Sequence, residues 1–371
     1  MNNTAAETPD SPSSVSPSSV SHSSASPALS RRRFLAGGTA VLAAASVPGI
    51  VHAAERIDSF NIPRGYPDPA WQMDEASFEE LFIGNTPLLR HYTEGLWLEG
   101  PAWNAVGRYA VFSDIPRQRQ MRWDEVTGDV TVLREKIGYS NGNTFDDRGR
   151  QVSCEHFPPR VVRYEWDGSV TTLVSHVDGK PLNAPNDLVA LPGGGIIFTD
   201  PGYGARVDYE GRTRTMELPT RIYYIDDTLQ APIVLDESLA RPNGVALTAD
   251  NKRLFACDTQ STDDYMSQIH VWDVADNGKR LSNQQTFFTN KEATHDGIVC
   301  DMHGNLWASS AGEGKGAKGV VVFDPQGKRL GSIVLPEQCS NVCFVGEHRN
   351  RLLMTASRSI YTIYTATRGT V

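Results

Sequence analysis

Arg241-Pro242-Asn243-Gly244-Val245-Ala246-Leu247 joins a turn-forming start to a short apolar strand, and the same arrangement returns five more times. The other copies are Leu98-Glu99-Gly100-Pro101, Ser140-Asn141-Gly142-Asn143, Ala184-Pro185-Asn186-Asp187-Leu188, Thr294-His295-Asp296-Gly297-Ile298 and Ser340-Asn341-Val342-Cys343. Aligned, one position reads Glu99, Asn141, Asn186, Asn243, Asp296, Asn341, so a carboxylate or carboxamide oxygen stands there in every copy. Apolar strand begins just after it. The intervals of 42, 45, 57, 53 and 45 residues have the length of a four-stranded propeller blade with loops of unequal size.

Each copy continues in the same order. A turn follows the inner strand, as in Asp147-Arg148-Gly149, Pro192-Gly193-Gly194 and Ala249-Asp250-Asn251, with residues suited to positive φ. A second strand comes next (Tyr109 to Ser113 in the first copy, Leu254 to Cys257 in the fourth), then a third ending on an apolar residue and Asp, then an outer strand such as Val130 to Leu133. The fold class expected is all-β, a six-bladed β-propeller of four-stranded blades. The last copy, Asn341 to Ala366, supplies three strands, so Pro87 to Thr93 is expected to add the fourth and close the ring. The Trp-Asp pairs, such as Trp123-Asp124, superficially suggest WD repeats. The Gly-His half of that signature is absent, and the Asp serves to start a turn.

The chain has 371 residues, 39% of them hydrophobic, with 32 glycines and 22 prolines, which suits a turn-rich β domain. A net charge of −9 argues against nucleic acid as a partner, since phosphate binding calls for a basic stripe. Three segments are expected: 1–53, a Ser/Pro-rich n-region and export signal that is cleaved; 54–84, an N-terminal extension with a short helix near Asp74 to Leu81; and 85–371, the catalytic propeller. Within the first, Ser30-Arg31-Arg32-Arg33-Phe34-Leu35 opens an Ala/Gly-rich apolar run ending at Val51-His52-Ala53. This reads as a twin-arginine signal, with the export machinery as partner and the periplasm or medium as destination. The run is shorter than the ~20 apolar residues of a membrane-spanning helix, so no stable membrane anchor is expected. The five cysteines have no zinc spacing and read as small buried hydrophobes; Cys339 and Cys343 are near enough in sequence to pair, but a strand begins between them.

Inner strands of a propeller line its channel, so the six oxygen-bearing side chains converge at one mouth. Burying Glu99 and Asp296 there together, without a cation, costs several kcal/mol or forces protonation. Carboxylates and carboxamides without Cys or paired His suit a hard cation, calcium first, then magnesium or manganese, with zinc a further option. Chain direction brings the loops after the second strands to the same face, including Ser113-Asp114, Glu155-His156, Asp200 to Tyr203 and Asp258-Thr259. The longest, Gly202 to Pro219, is a candidate lid carrying Tyr203, Arg206, Tyr209, Arg212 and Arg214. His156 is a candidate proton relay, whereas His295, adjacent to Asp296, points to the opposite face and is read as structural. No Gly-x-Ser-x-Gly elbow supports a covalent serine mechanism.

Glu99-Gly100-Pro101-Ala102-Trp103, Asn183 to Asp187, Arg241 to Ala246 and Asp296 to Asp301 resemble motifs of the gluconolactonase and regucalcin (senescence marker protein) family. The resemblance covers about 85 to 371. It implies a six-bladed propeller with a divalent cation in the channel and hydrolysis of sugar lactones. It further implies Glu99, Asn243 and Asp296 as metal ligands, Asn186 as a fourth ligand or a substrate contact, Asp296 as general base and Asn141 as substrate-facing. The expected mechanism is metal-assisted lactone hydrolysis without a covalent intermediate, with Asn141, Asn186, Tyr203 and Arg214 binding sugar hydroxyls and His156 the fallback base. Two alternatives stand beside it: a promiscuous lactonase, arylesterase or phosphotriesterase on the same ring, and a non-catalytic calcium-binding propeller.

Overall fold

The computed structural model describes residues 58–262, 264–313 and 317–370. The export segment 1–53 lies outside the described residues. Six antiparallel sheets follow one another around a ring. Blade 1 comprises Leu98–Asn104, Tyr109–Asp114, Arg119–Asp124 and Val130–Glu135, and blade 2 Ser140–Phe145, Gln151–His156, Pro159–Tyr164 and Val170–Val174. Blades 3 and 4 begin on Leu188–Ala190 and Pro242–Leu247. Blade 5 splits its inner edge into Ala293–Thr294 and Ile298–Cys300, with Asp296 between the two pieces. Blade 6 takes Cys339–Val345, Arg351–Ala356 and Ser359–Tyr364 from one end of the chain and Leu89–Tyr92 from the other, pairing Leu89 with Thr362 and Arg90 with Tyr361. The expected closure is therefore present. It satisfies backbone groups that would otherwise form two free sheet edges.

The residues before that closing strand add a feature not expected from the sequence. Trp71–Met73 pairs with Gly331 to Ile333 as a fifth strand on the outer edge of blade 5. Ala76–Leu81, where a helix is expected, forms a 3₁₀ helix that buries Phe78 and Leu81. Phe78 is fully buried, edge-on to Trp71 at 5.6 Å between centroids and to Phe82 at 6.0 Å. These rings join the apolar seam between blades 5 and 6. Phe78→Ala should cost about 3–5 kcal/mol of unfolding free energy, read as a lower urea midpoint at unchanged slope. A loss below about 1 kcal/mol would mean that this segment merely rests on the propeller.

Adjacent inner strands approach so closely that a side chain is excluded between some of them. A Cβ on Gly244 would stand 2.0 Å from the carbonyl oxygen of Asp296 in the next blade, and one on Gly100 (φ +52°) 2.1 Å from that of Asn141. This explains the Gly after the aligned oxygen-bearing residue in four of the six copies. Second-strand hydroxyls lace the blades together: Ser113 Oγ donates to Asn141 O (2.7 Å), Thr199 Oγ1 to Asn243 O (2.8 Å) and Ser309 Oγ to Ser340 O (2.9 Å). Ser340 Oγ donates to Leu98 O (2.5 Å) across the junction that closes the ring.

Five of the six seams between blades are apolar clusters. The seam between blades 1 and 2 is built from amides and hydroxyls instead. Gln120 Nε2 donates to Ser140 Oγ (3.1 Å), Asn143 Oδ1 (3.0 Å) and Ser153 Oγ (2.9 Å), while Arg134 Nη1 donates to the side-chain oxygens of Gln120 (2.8 Å) and Gln151 (2.6 Å). Asn143 Nδ2 completes the network by donating to Gly100 O at 2.8 Å.

Candidate active site

Each aligned oxygen-bearing residue sits at the start of its inner strand, where strands from all six blades meet. Glu99, Asn141, Asn186, Asn243 and Asn341 are buried, and Asp296 keeps part of its surface exposed. Burial, then the charge of Asp296, then that of Asp187 hold the Glu99 carboxyl well above the usual carboxylate range. Burial, then Asp187, then Glu210 do the same to Asp296. No lysine or arginine is among the groups that act appreciably on either. The expected clustering of Glu99 and Asp296 in one electrostatic environment therefore comes with a third carboxylate.

That third group, Asp187, escaped the sequence reading. It follows Asn186 at the position where four other copies carry Gly, and this departure was the available signal. Its Oδ1 accepts from Leu188 N (3.0 Å) and its Oδ2 from Val245 N of blade 4 (3.3 Å). Burial nonetheless pushes its carboxyl up to about 6. A folded value above the unfolded one stabilises the fold below about pH 4, and the contribution is lost as pH rises through about 6. Asp187→Asn should therefore gain on the parent by on the order of 2 kcal/mol between pH 4 and pH 8 in chelator-treated protein. Urea titrations at several pH values measure it, and a flat difference refutes it.

The carboxamides are not equivalent. Asn341 Oδ1 accepts from Val342 N (2.7 Å), so its nitrogen is the end left to face Glu99 and Asp187, whose carboxyls it helps to keep from rising further. Asn141 Oδ1 and Asn243 Oδ1 are buried with no hydrogen-bond partner. Such acceptors normally find a partner, so these two oxygens are the ones free to meet something entering from the channel. Asn243 Nδ2 points to the Tyr203 hydroxyl at 3.5 Å, and that hydroxyl also bonds Thr259 Oγ1. Asn186 gives its backbone carbonyl to Gly142 N at 2.8 Å, which locks blade 3 to blade 2 at the mouth.

The loops after the second strands divide by role. Asp114, Asp200 and Asp258, expected around the channel, turn to the backbone before their own inner strands. Asp200 accepts from Asn183 N (2.8 Å) and Ala184 N (2.7 Å), and Asp258 from Ala240 N (3.0 Å) and Arg241 N (2.9 Å). Asp114 accepts from Leu96 N at 3.1 Å. They hold the segments that deliver Glu99, Asn186 and Asn243. Arg214 donates to the carbonyls of Leu182 (2.6 Å) and Asn183 (2.5 Å), bracing the same stretch from the long loop. His156 is fully buried, with Nδ1 2.8 Å from Glu210 O and Nε2 3.4 Å from Asn141 Nδ2. His295 is fully buried between Ser309 O (2.8 Å) and Asn290 Nδ2 (2.9 Å), against Phe323, in the structural role expected of it. All five cysteines are unpaired. Among the described residues no three His, Cys, Asp or Glu side chains converge at metal-ligand spacing.

Residues 97–358 match the family described as the SMP-30/gluconolactonase/LRE-like region. The chain belongs to this family. Its relatives include a gluconolactonase of Zymomonas mobilis, 27% identical over 310 residues that span 77% of this chain and 83% of the relative. A regucalcin of Xenopus laevis is 25% identical over 287 residues, 70% of this chain and 82% of that one. The solved structure of a gluconolactonase from Xanthomonas campestris is similar with a TM-score of 0.72 at 31% identity, covering 80% of this chain and 94% of its own. The six blades and their closure are thus those of the SMP-30/gluconolactonase family.

Proposed function

We propose that this protein hydrolyses sugar lactones of the glucono-1,5-lactone type with the help of one divalent cation in the propeller channel. The observation that carries the reading is that Glu99, Asp187 and the partly exposed Asp296 are all held above the usual carboxylate range with no cationic side chain to balance them. The gluconolactonase relatives supply the reaction class. The orphaned oxygens of Asn141 and Asn243 supply the fit to a hard cation and a hydroxylated substrate. Glu99, Asn243 and Asp296 would hold the ion, with Asn186 as a fourth ligand or a substrate contact. Calcium suits this oxygen set best, ahead of magnesium, manganese or zinc. When bound, the ion supplies Lewis-acid polarisation of the lactone carbonyl and offsets charge on the tetrahedral oxyanion.

The chain's own residues do the rest. Asp296 accepts the proton of the attacking water, and only its ionised form can do so. Burial and the charges of Asp187 and Glu210 oppose that ionisation, so the base form is scarce unless positive charge is brought to it. Asn141, Asn186 and Tyr203 hydrogen-bond ring hydroxyls. Arg214 contributes by holding Leu182 and Asn183 in place. The loop Gly202 to Pro219, which packs on His156 and reaches Asn243 through Tyr203, would limit water at the mouth. Export by the twin-arginine route to the periplasm or medium belongs to the same proposal and rests on residues 30–53.

Turnover of glucono-1,5-lactone in a pH-stat, before and after chelation and with each metal restored, tests the reading. Activity lost on chelation and recovered with calcium is the expected result. Full activity in the chelated protein would sink the cation. Hydrolysis of an aryl ester or phosphotriester but of no sugar lactone would move the substrate class.

A further inference from the structure

His156 closes the second strand of blade 2 and is fully buried under the loop Gly202 to Pro219. Its Nδ1 lies 2.8 Å from the Glu210 carbonyl oxygen, and a carbonyl only accepts, so Nδ1 carries the proton. The loop also packs directly on the ring: a Cβ on Gly204 would stand 2.7 Å from the same Nδ1. Burial disfavours the imidazolium, leaving Nε2 as a lone pair. That lone pair faces the side-chain amide of Asn141 at 3.4 Å, where only a nitrogen can serve as partner. The amide is thereby turned so that Oδ1, buried and without a partner, is the free end. The same loop repeats the arrangement at Asn243, whose Nδ2 faces the Tyr203 hydroxyl and whose Oδ1 is also orphaned.

We propose that His156 is a positioning residue: held by the Glu210 carbonyl as the Nδ1–H tautomer, it fixes the Asn141 carboxamide with its oxygen toward the channel, where it accepts a hydrogen bond from a substrate hydroxyl. The part concerning substrate rests on the lactone-hydrolase reading, whereas the tautomer and the amide orientation do not. This role differs from proton transfer. An imidazole whose Nδ1 is committed to a carbonyl and whose Nε2 is committed to an amide has no nitrogen left for water.

Two substitutions separate the roles, because each amide side chain reproduces one ring nitrogen. Gln places an oxygen near the position of Nε2 and keeps the contact to Asn141; Asn places its nitrogen near Nδ1 and keeps only the contact to Glu210. In the intact protein His156→Gln should keep kcat/KM within about tenfold, while His156→Asn should lose about a hundredfold, chiefly through KM. Equal losses in kcat for both, with the acid limb of the pH profile removed, would establish His156 as the base and overturn the proposal. Equal losses of melting temperature with unchanged KM in both would reduce it to packing and overturn it equally. ¹⁵N spectra of the labelled protein provide a readout that needs no activity. The expected result is a neutral Nδ1–H ring from pH 6 to 8, with an Asn141 side-chain amide resonance that moves in His156→Asn and stays in His156→Gln. An imidazolium or an Nε2–H ring overturns the proposal whether or not either variant folds. If no lactone is turned over, these spectra still decide the orientation, so failure of the hydrolase reading and failure of this one are told apart.

Discussion

Replacing Asp296 by Asn is expected to lower lactone turnover about a thousandfold while leaving the chelated protein more stable than the parent. The first half follows from the loss of a general base, which typically contributes 10²–10⁴-fold, together with a charged ligand. The second half has the opposite sign to most changes at a buried site. In the cation-free fold burial pushes all three carboxyls toward protonation, and the charge of Asp296 adds to the push on Glu99, so its removal relieves repulsion. Glu99→Gln should behave alike. In both variants the rise in melting temperature on adding calcium should shrink to almost nothing, because stabilisation by a ligand scales with its affinity for the native state. Melting curves with and without calcium, run beside pH-stat rates, measure both halves. Variants that keep turnover would move the chemistry away from Glu99 and Asp296, whereas a parent that turns over no lactone would favour the non-catalytic propeller. Variants that lose turnover and also lose stability in chelator would remove the electrostatic argument from under the site.

Gly244→Ala is expected to be among the most damaging single methyls in the protein. The added carbon would meet the carbonyl oxygen of Asp296 at 2.0 Å and the Cα of Gly297 at 2.7 Å. Both obstacles are backbone of the neighbouring blade, and neither can swing away as a side chain can. Relief requires blades 4 and 5 to part at the mouth, which should cost at least about 4 kcal/mol and leave little soluble protein. Gly128→Ala is the matched control. It has positive φ (+79°) but open space around it, so only conformational strain of about 1–2 kcal/mol is expected. Comparable losses in the two variants would show that backbone conformation, and not the approach of the strands, selects Gly244.

Much of this was legible before the coordinates, for a definite reason. Blade length, the oxygen-bearing position and the missing fourth strand are all periodic, and a period survives the noise of individual residues. Pairing of Leu89–Tyr92 with the last blade could be expected because a six-fold repeat ending one strand short leaves a single vacancy. Trp71–Met73 was not legible, since three residues on an outer edge carry no period and follow a proline-rich stretch. Within the ring, sequence alignment makes Asn141, Asn243 and Asn341 look alike. Their difference lies in which end of each amide its neighbours have already taken: Val342 N takes the oxygen of Asn341, while Tyr203 and His156 take nitrogens. Asp114, Asp200 and Asp258 were placed on the correct loops, but only the structure shows that backbone N–H groups claim them. Chain direction locates a residue; competition among its neighbours decides what it does.

The amide and hydroxyl seam between blades 1 and 2 has a consequence for assembly. Six modules of similar size, joined by greasy contacts, are a chain that can associate in the wrong neighbourly order, or lend a module to a second molecule, at little energetic penalty. Gln120, Asn143, Ser153 and Arg134 form a junction whose donors and acceptors are matched to one another and to Ser140, Gln151 and the Gly100 carbonyl beside them. Any other module docked there would strand several of those groups in a dry place, a penalty that apolar contacts cannot impose. One keyed joint is enough to give a circle of look-alike parts a fixed starting point.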